Sequence, residues 1–193
     1  MRLRAATFVL VLSGVCAPGA SAQTYVLGDS LAHMCSVEAM QGQGTRQAEE
    51  ICTSALEDEA LSMRDRAATY VNRGVIRSNL RLPSRALGDY ERSLGFASYL
   101  ENAELGIAYV GRASVLNAMG HYSEALESAN KGLSLGTLRP EVAYYNRALA
   151  EERLGNVKAA YYDYKEALKV VPDFAPAAEQ LKRFRVVTQP AGS

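Results

Sequence analysis

The fold of this chain is indicated most clearly by residues 144–169, which read YYNRALAEERLGNVKAAYYDYKEALK. Apolar residues recur there at three- and four-residue spacing on both sides of Gly155, a period typical of amphipathic helices. Glycine ends helices readily because it adopts the left-handed conformation at little cost. Ala148, Ala160 and Ala167 supply small side chains, which allow two helices to cross closely. We therefore predict a helical hairpin in this segment.

The same pattern occurs twice more upstream. Each unit opens on a tyrosine, a bulky residue, a small or amide residue, an arginine and a small residue, at 70–74, 109–113 and 144–148. The intervals are 39 residues (70 to 109) and 35 residues (109 to 144). Two further sets of small residues keep these intervals: Ala86, Ala125 and Ala160, then Ser93, Gly132 and Ala167. Since a single hairpin cannot bury its apolar face, we expect these rigid units to stack into a solenoid.

The units resemble the repeats of the tetratricopeptide family, which carry small and aromatic residues at fixed positions of two helices. The last repeat matches best, through Tyr144, Ala148, Gly155, Ala160, Tyr164, Ala167 and Pro172. The middle one matches through Tyr109, Ala113, Leu116, Gly120, Tyr122 and Ala125, and the earlier one through Tyr70, Gly74, Ala86 and Tyr90. The resemblance implies an all-α fold: helix-turn-helix repeats stacked in a right-handed superhelix with a C-terminal capping helix.

The repeat register also predicts how the whole chain is organised. Extended backwards, it places Ser36, Ala48 and Ala55 at the small positions of a degenerate first repeat. Downstream, Leu181 and Phe184 lie at helical spacing and resemble a capping helix. We predict a signal peptide (1–22), an N-terminal extension (23–29), a degenerate repeat (30–60), repeats at about 65–98, 101–137 and 141–174, a cap helix (174–187) and a flexible tail (188–193).

The first 22 residues have the layout of a secretory signal peptide. Arg2 and Arg4 precede an apolar run, and the small residues at 20–22 form a cleavage site before Gln23. A membrane anchor is the first alternative, although the run is too short to span a bilayer. Lipid attachment at Cys16 is the second, although Val15 is larger than the residue expected there. We expect an exported protein, periplasmic or secreted.

Two cysteines, Cys35 and Cys52, remain after the expected cleavage. An even number of cysteines in an oxidising compartment favours a structural disulfide. The midpoint between them falls in the Gly-Gln-Gly turn at 42–44, so two antiparallel helices joined there bring the cysteines level. We predict a Cys35–Cys52 disulfide; free buried thiols and a redox-active pair are the alternatives.

Composition and charge exclude several function classes. The 21 basic residues balance the 21 acidic ones, so the chain lacks the positive surplus with which proteins bind nucleic acids. His33 and Cys35 point about 200 degrees apart on a helix and cannot readily share a metal. His121 lies in a turn, and no phosphate-binding loop or nucleophile motif occurs. We predict no enzymatic activity, no metal and no cofactor.

The family resemblance implies a partner-binding groove along the first helices of the repeats. At the matching positions, this groove would be lined by Val71, Asn72, Val75, Asn79, Val110, Gly111, Ser114, Asn117, Tyr145, Asn146, Leu149 and Arg153. Amides such as Asn72 and Asn146 can hydrogen-bond both the N–H and the C=O of a bound backbone. Valine or tyrosine stands where carboxylate-binding relatives have lysine or arginine, which disfavours a carboxylate clamp.

Arg73, Arg112 and Arg147 each follow a tyrosine by three residues. We interpret them as packing against those rings, with a column of anion-binding arginines as the alternative.

These features predict an exported protein-interaction module, an adaptor or assembly factor of the bacterial cell envelope that binds a partner protein or extended peptide. In the alternative, the chain is a structural subunit that uses its outer face or cap helix, while its own residues 23–29 fill the groove. A homodimer through an exposed repeat edge is compatible with both roles. The mature chain contains no predicted transmembrane segment.

Overall fold

The structure is a computed structural model that describes residues 30–185. The predicted signal peptide (1–22), extension (23–29) and tail (188–193) lie outside the described residues. Within residues 30–185 the chain forms nine α-helices and no β-strand, which confirms the predicted all-α fold class. The helices are α1 (Leu31–Gln41), α2 (Arg46–Asp58), α3 (Met63–Asn79), α4 (Pro83–Leu94), α5 (Asn102–Met119), α6 (Tyr122–Ser134), α7 (Pro140–Arg153), α8 (Val157–Val170) and α9 (Ala175–Leu181), with a 3₁₀ turn at Ala97–Tyr99.

The first eight helices pair into four hairpins: α1 with α2, α3 with α4, α5 with α6, and α7 with α8. Each hairpin packs on the next through contacts of α2 with α3, α4 with α5, and α6 with α7. The first helices α1, α3, α5 and α7 also contact one another in order. One side of the stack is therefore built from first helices, as the repeat pattern predicts.

Close helix crossings hold each hairpin together. Ala86, Ala125 and Ala160 are completely buried. At Gly132, an added Cβ would lie 2.8 Å from a methyl group of Val110. Small residues therefore stand where the two helices of a hairpin come closest, because a larger side chain would force them apart.

Three equivalent residues end the turns after α3, α5 and α7 in the left-handed conformation. They are Arg81 (φ 61°), Gly120 (φ 83°) and Gly155 (φ 88°), separated by the same 39 and 35 residues as the repeats (81 to 120, 120 to 155). Arg81 is the only non-glycine residue with positive φ between residues 30 and 185. In this conformation a residue with a Cβ atom is destabilised by about 1–2 kcal/mol, because the Cβ lies too close to a carbonyl oxygen. Arg81 is therefore strained, whereas the two glycines are not.

The repeated spacing also produces two ion pairs within hairpins, one buried and one partly exposed. Arg73 donates two hydrogen bonds to the Asp89 carboxylate, at 3.0 and 2.9 Å, and Arg147 donates two to Asp163, at 2.8 and 2.7 Å. In the middle repeat, Arg112 donates instead to Ser128, 2.6 Å away. Each arginine thus joins the first helix of its hairpin to a residue sixteen positions later in the second.

The predicted packing of arginine on tyrosine is present in two of these three repeats. The Arg73 guanidinium lies 5.6 Å from the ring centre of Tyr70, and that of Arg147 lies 5.4 Å from the ring centre of Tyr144. These arginines are paired with carboxylates and rings of their own hairpin, so they do not form a column open to anions.

The first hairpin is held by a disulfide between Cys35 in α1 and Cys52 in α2, whose Cα atoms lie 4.8 Å apart. Both cysteines are completely buried and share a core with Ala48 and Ile76. The turn between α1 and α2 packs on the end of α3: a Cβ on Gly44 would lie 2.7 Å from the Leu80 backbone nitrogen.

The cap helix is shorter than predicted. It ends at Leu181, whereas the spacing of apolar residues predicted helix over 174–187. Phe184 follows in irregular backbone and still packs on the core, 5.9 Å from the ring centre of Tyr164. The apolar period therefore identified two residues that pack on the core, Leu181 and Phe184, but only Leu181 lies in the helix itself.

Candidate interaction groove

A small apolar cavity lies between the first helices of the second, third and fourth hairpins. Its volume is about 230 Å³, and it is lined mainly by Val71, Val75, Ile107, Val110 and Val142, with Gly111 and Tyr90 below. A Cβ on Gly111 would lie 2.3 Å from the Tyr90 ring, so only glycine lets this ring pass under α5. Burial raises the pKa of Tyr90 to about 12, and the cavity floor stays uncharged at neutral pH.

A larger cavity of about 600 Å³ adjoins the first. The two share Ser78, Asn79 and Ser114 and form one continuous depression, called the groove below. Its larger part is bounded by the turn after α1 and by the turn after α3, where Arg81 lies. The groove therefore runs from an apolar half to a polar half.

Half of the twelve residues predicted to line a groove line this one: Val71, Val75, Asn79, Val110, Gly111 and Ser114. Asn72 lines a separate cavity of about 530 Å³ between α1 and α3, beside His33 and Ser36. The remaining five, Asn117, Tyr145, Asn146, Leu149 and Arg153, lie further towards the C-terminus and line neither cavity.

Tyr145 and Leu149 pack instead against the buried core of the last repeat. Arg153 lies over the ring of Tyr122, 5.8 Å from its centre. These side chains therefore stabilise the last two hairpins instead of lining the groove.

The prediction that Asn146 offers its amide to a ligand is wrong. Asn146 is buried, and its Nδ2 donates to the backbone carbonyl of Val110, 3.2 Å away. Asn117 in turn donates from Nδ2 to the backbone carbonyl of Asn146, 2.8 Å away. The two amides bind α5 to α7 and so fix the wall of the groove.

One polar atom of this connection has no partner within the part of the chain that the structure describes. It is Oδ1 of Asn117, which is buried and accepts no hydrogen bond. A buried acceptor without a donor costs about 1–3 kcal/mol, so the connection between α5 and α7 is made at some cost in stability.

Two arginines contribute charge that the sequence prediction did not include. Arg139 borders the apolar cavity and donates to the buried carboxylate of Glu141, 2.6 Å away. Arg81 lies at the larger cavity and forms no ion pair with any residue from 30 to 185. Arg81 could have been found from the repeat register, because it stands where the later repeats have Gly120 and Gly155.

Between residues 30 and 185, none of the helices combines the length with the apolar character that a bilayer-spanning helix requires.

Several solved structures have the same fold. The first tetratricopeptide repeat domain of Spaghetti (RPAP3), bound to an HSP90 peptide, is 20% identical over 61% of this chain and 88% of that chain, with a TM-score of 0.53. The Arabidopsis OM64 tetratricopeptide repeat domain is 20% identical over 63% and 96%, with a TM-score of 0.56. YrrB, described as a tetratricopeptide repeat protein with an unusual peptide-binding site, is 19% identical over 78% and 71%, with a TM-score of 0.59.

No protein-family model and no curated protein matches the sequence. The structural likeness shows that the chain has the tetratricopeptide repeat fold, with helix-turn-helix repeats stacked in a superhelix.

Proposed function

We propose that this protein is an exported interaction module that binds an extended segment of a partner protein in its groove. The observation that carries the proposal is the continuous depression across α3, α5 and the start of α7, with an apolar half and a polar half. The RPAP3 domain holds an HSP90 peptide and YrrB has a peptide-binding site, which supports a peptide ligand on this fold.

The lining residues indicate the chemistry of the ligand. A cavity of about 230 Å³ walled by valines and isoleucine is suited to one apolar side chain. Ser78, Asn79 and Ser114 offer hydrogen bonds at its edge, and Asn79 keeps Oδ1 available because its Nδ2 donates to the carbonyl of Gly42. Arg81 complements an acidic group. The groove therefore fits an extended segment with an apolar anchor near an acidic residue.

We propose the cell envelope as the location and an adaptor or assembly factor as the role. The signal-peptide layout of residues 1–22 and the Cys35–Cys52 disulfide both support export, because disulfides persist in oxidising compartments. The role proposed is binding without catalysis, and the ligand chemistry above requires neither a metal nor a cofactor.

The alternative, a structural subunit that uses its outer face, is supported by a different cavity. It has a volume of about 510 Å³ and lies against the second helix of the third hairpin, lined by Tyr109, Arg112, Ser128 and Lys131 among others. In that case, changes in the groove would leave the association intact.

We expect Arg81→Gly to weaken partner binding while leaving the fold as stable or up to about 1 kcal/mol more stable. The glycine relieves the left-handed strain, and this gain is partly offset by the greater freedom of glycine in the unfolded chain. At the same time, the change removes the unpaired positive charge from the larger cavity. Weaker binding could then not be attributed to unfolding.

The measurement is quantitative capture from envelope extract, followed by titration with the captured partner. Arg85→Ala is the matched control, since Arg85 is exposed on α4 and lines neither cavity of the groove. Several-fold weaker binding by Arg81→Gly alone supports the groove. Equal binding by all three proteins would place the interface elsewhere.

A further inference from the structure

The two ends of the stack differ in surface chemistry. At the C-terminal end, the seven-residue helix α9 covers α8 incompletely. A cleft of about 450 Å³ remains between α8 and the segment that follows α9, lined by Tyr161, Lys165, Leu168, Lys169, Leu181 and Phe184. Terminal repeats of solenoids normally present a polar outer face, so a terminal surface that carries an apolar cleft is unusual.

The cleft is aromatic and basic. Tyr161 and Phe184 pack with their ring centres 5.7 Å apart, and the Lys165 ammonium lies 5.6 Å from the centre of the Tyr161 ring. Lys169 pairs with Glu166, whereas Lys165 has no carboxylate partner in the described chain. From 157 to 185 the sequence has six basic residues and four acidic ones.

The N-terminal end is acidic and carries exposed methionines. From 30 to 60 the sequence has six acidic residues and one arginine, Arg46. Five of these carboxylates form no ion pair with any described residue: Glu38, Glu50, Glu57, Asp58 and Glu59, the last of which accepts hydrogen bonds from the backbone nitrogens of Leu31 and Ala32. On α1, residues Met34 and Met40 are 40% and 75% exposed.

We propose that the protein associates head to tail, with the acidic first hairpin of one copy docked on the basic aromatic cleft of the next. Opposite charges would face each other across this contact, which steers association and fixes its orientation. Methionine is flexible and packs favourably against aromatic rings, so Met34 or Met40 can fill the cleft beside Tyr161 and Phe184.

The charges also select the geometry of the contact. If two C-terminal ends met face to face, Lys165 of one copy would lie close to Lys165 of the other. If two N-terminal ends met, Glu57 and Asp58 of one copy would lie close to the same two carboxylates of the other. Both symmetric arrangements are therefore repulsive. A head-to-tail contact uses two different surfaces and leaves one of each free, so it continues into longer assemblies unless it closes into a ring. The groove between α3, α5 and α7 stays open to its own partner.

Sedimentation velocity of the purified protein at low ionic strength tests this proposal. We expect the sedimentation coefficient to rise with concentration beyond that of a dimer, and to fall when salt is added. Lys165→Glu reverses the charge of the cleft, and Glu57→Lys with Asp58→Lys reverses that of the first hairpin. For each of these two charge-reversal variants alone, we expect a sedimentation coefficient that no longer rises with protein concentration.

A chain that carries all three changes should regain association, because the charges are again opposite across the same contact. Circular dichroism on each variant shows that these exposed changes leave the helices intact. A wild-type protein that stays monomeric up to millimolar concentration would overturn the proposal. Association that survives either reversal would also overturn it, since the contact would then use other surfaces.

Discussion

Replacing Asp89 by asparagine is expected to lower the free energy of unfolding by about 3–5 kcal/mol, the usual cost of breaking a buried ion pair. Asp89 is completely buried and accepts hydrogen bonds from Arg73, Arg77 and Arg92. Arg77 keeps a second partner in Glu49, and Arg92 is exposed to water. Arg73 has only 9% of its side chain exposed and would be left with a buried, uncompensated charge.

The matched control is Asp163→Asn in the last repeat. Its partner Arg147 has 27% of its side chain exposed and also donates to Asn130, so water and a neighbouring amide can solvate the charge. We expect a loss of about 1 kcal/mol or less there, as for partly exposed pairs. Urea unfolding followed by circular dichroism compares the two. Equal small losses would mean that the Asp89 network does not hold the second hairpin.

Loss of the Cys35–Cys52 disulfide is expected to cost about 3 kcal/mol, the loop-closure value for cysteines 17 residues apart. The effect should be concentrated in α1 and α2. These helices form the end of the stack, and their shared core consists of the two cysteines with Ala48 and Ile76. The later hairpins have cores of their own and do not depend on this bridge.

Hydrogen exchange of the double variant Cys35→Ala/Cys52→Ala measures this directly. Amides of α1 and α2 should lose protection while those of α5–α8 keep it, as expected when the stability of a stack varies along its length. Alkylation of the oxidised, denatured wild-type protein is the companion test. Modification of both cysteines would refute the disulfide, and uniform loss of protection would refute its local role.

The repeats made most of the fold predictable. Close helix crossings require small residues, and the equal 39- and 35-residue intervals located Ala86, Ala125 and Ala160 before any packing was known. The turn at 42–44 likewise aligned Cys35 with Cys52, because the midpoint of a hairpin determines which residues face each other.

The groove was only partly predictable, because equivalent positions in different repeats have different neighbours. Asn72 borders a cavity, whereas Asn146 at the same register is buried against α5. Asn146 is buried because the preceding repeat places the backbone carbonyl of Val110 next to its amide. The spacing of residues within one repeat does not show which groups the neighbouring repeat will contribute. The Arg73–Asp89 and Arg147–Asp163 ion pairs were not predicted, although the sequence contains a signal for them: each aspartate follows its arginine by sixteen residues.

Site-specific photo-crosslinking tests the central claim, that the groove holds the partner. A photoreactive amino acid is placed at Ser114, which borders both cavities, and in a second protein at Ser123, exposed in the first turn of α6. We predict that irradiation in envelope extract joins a partner to the Ser114 protein and not to the Ser123 protein. A crosslink from Ser123 alone would contradict the claim and assign binding to the outer face.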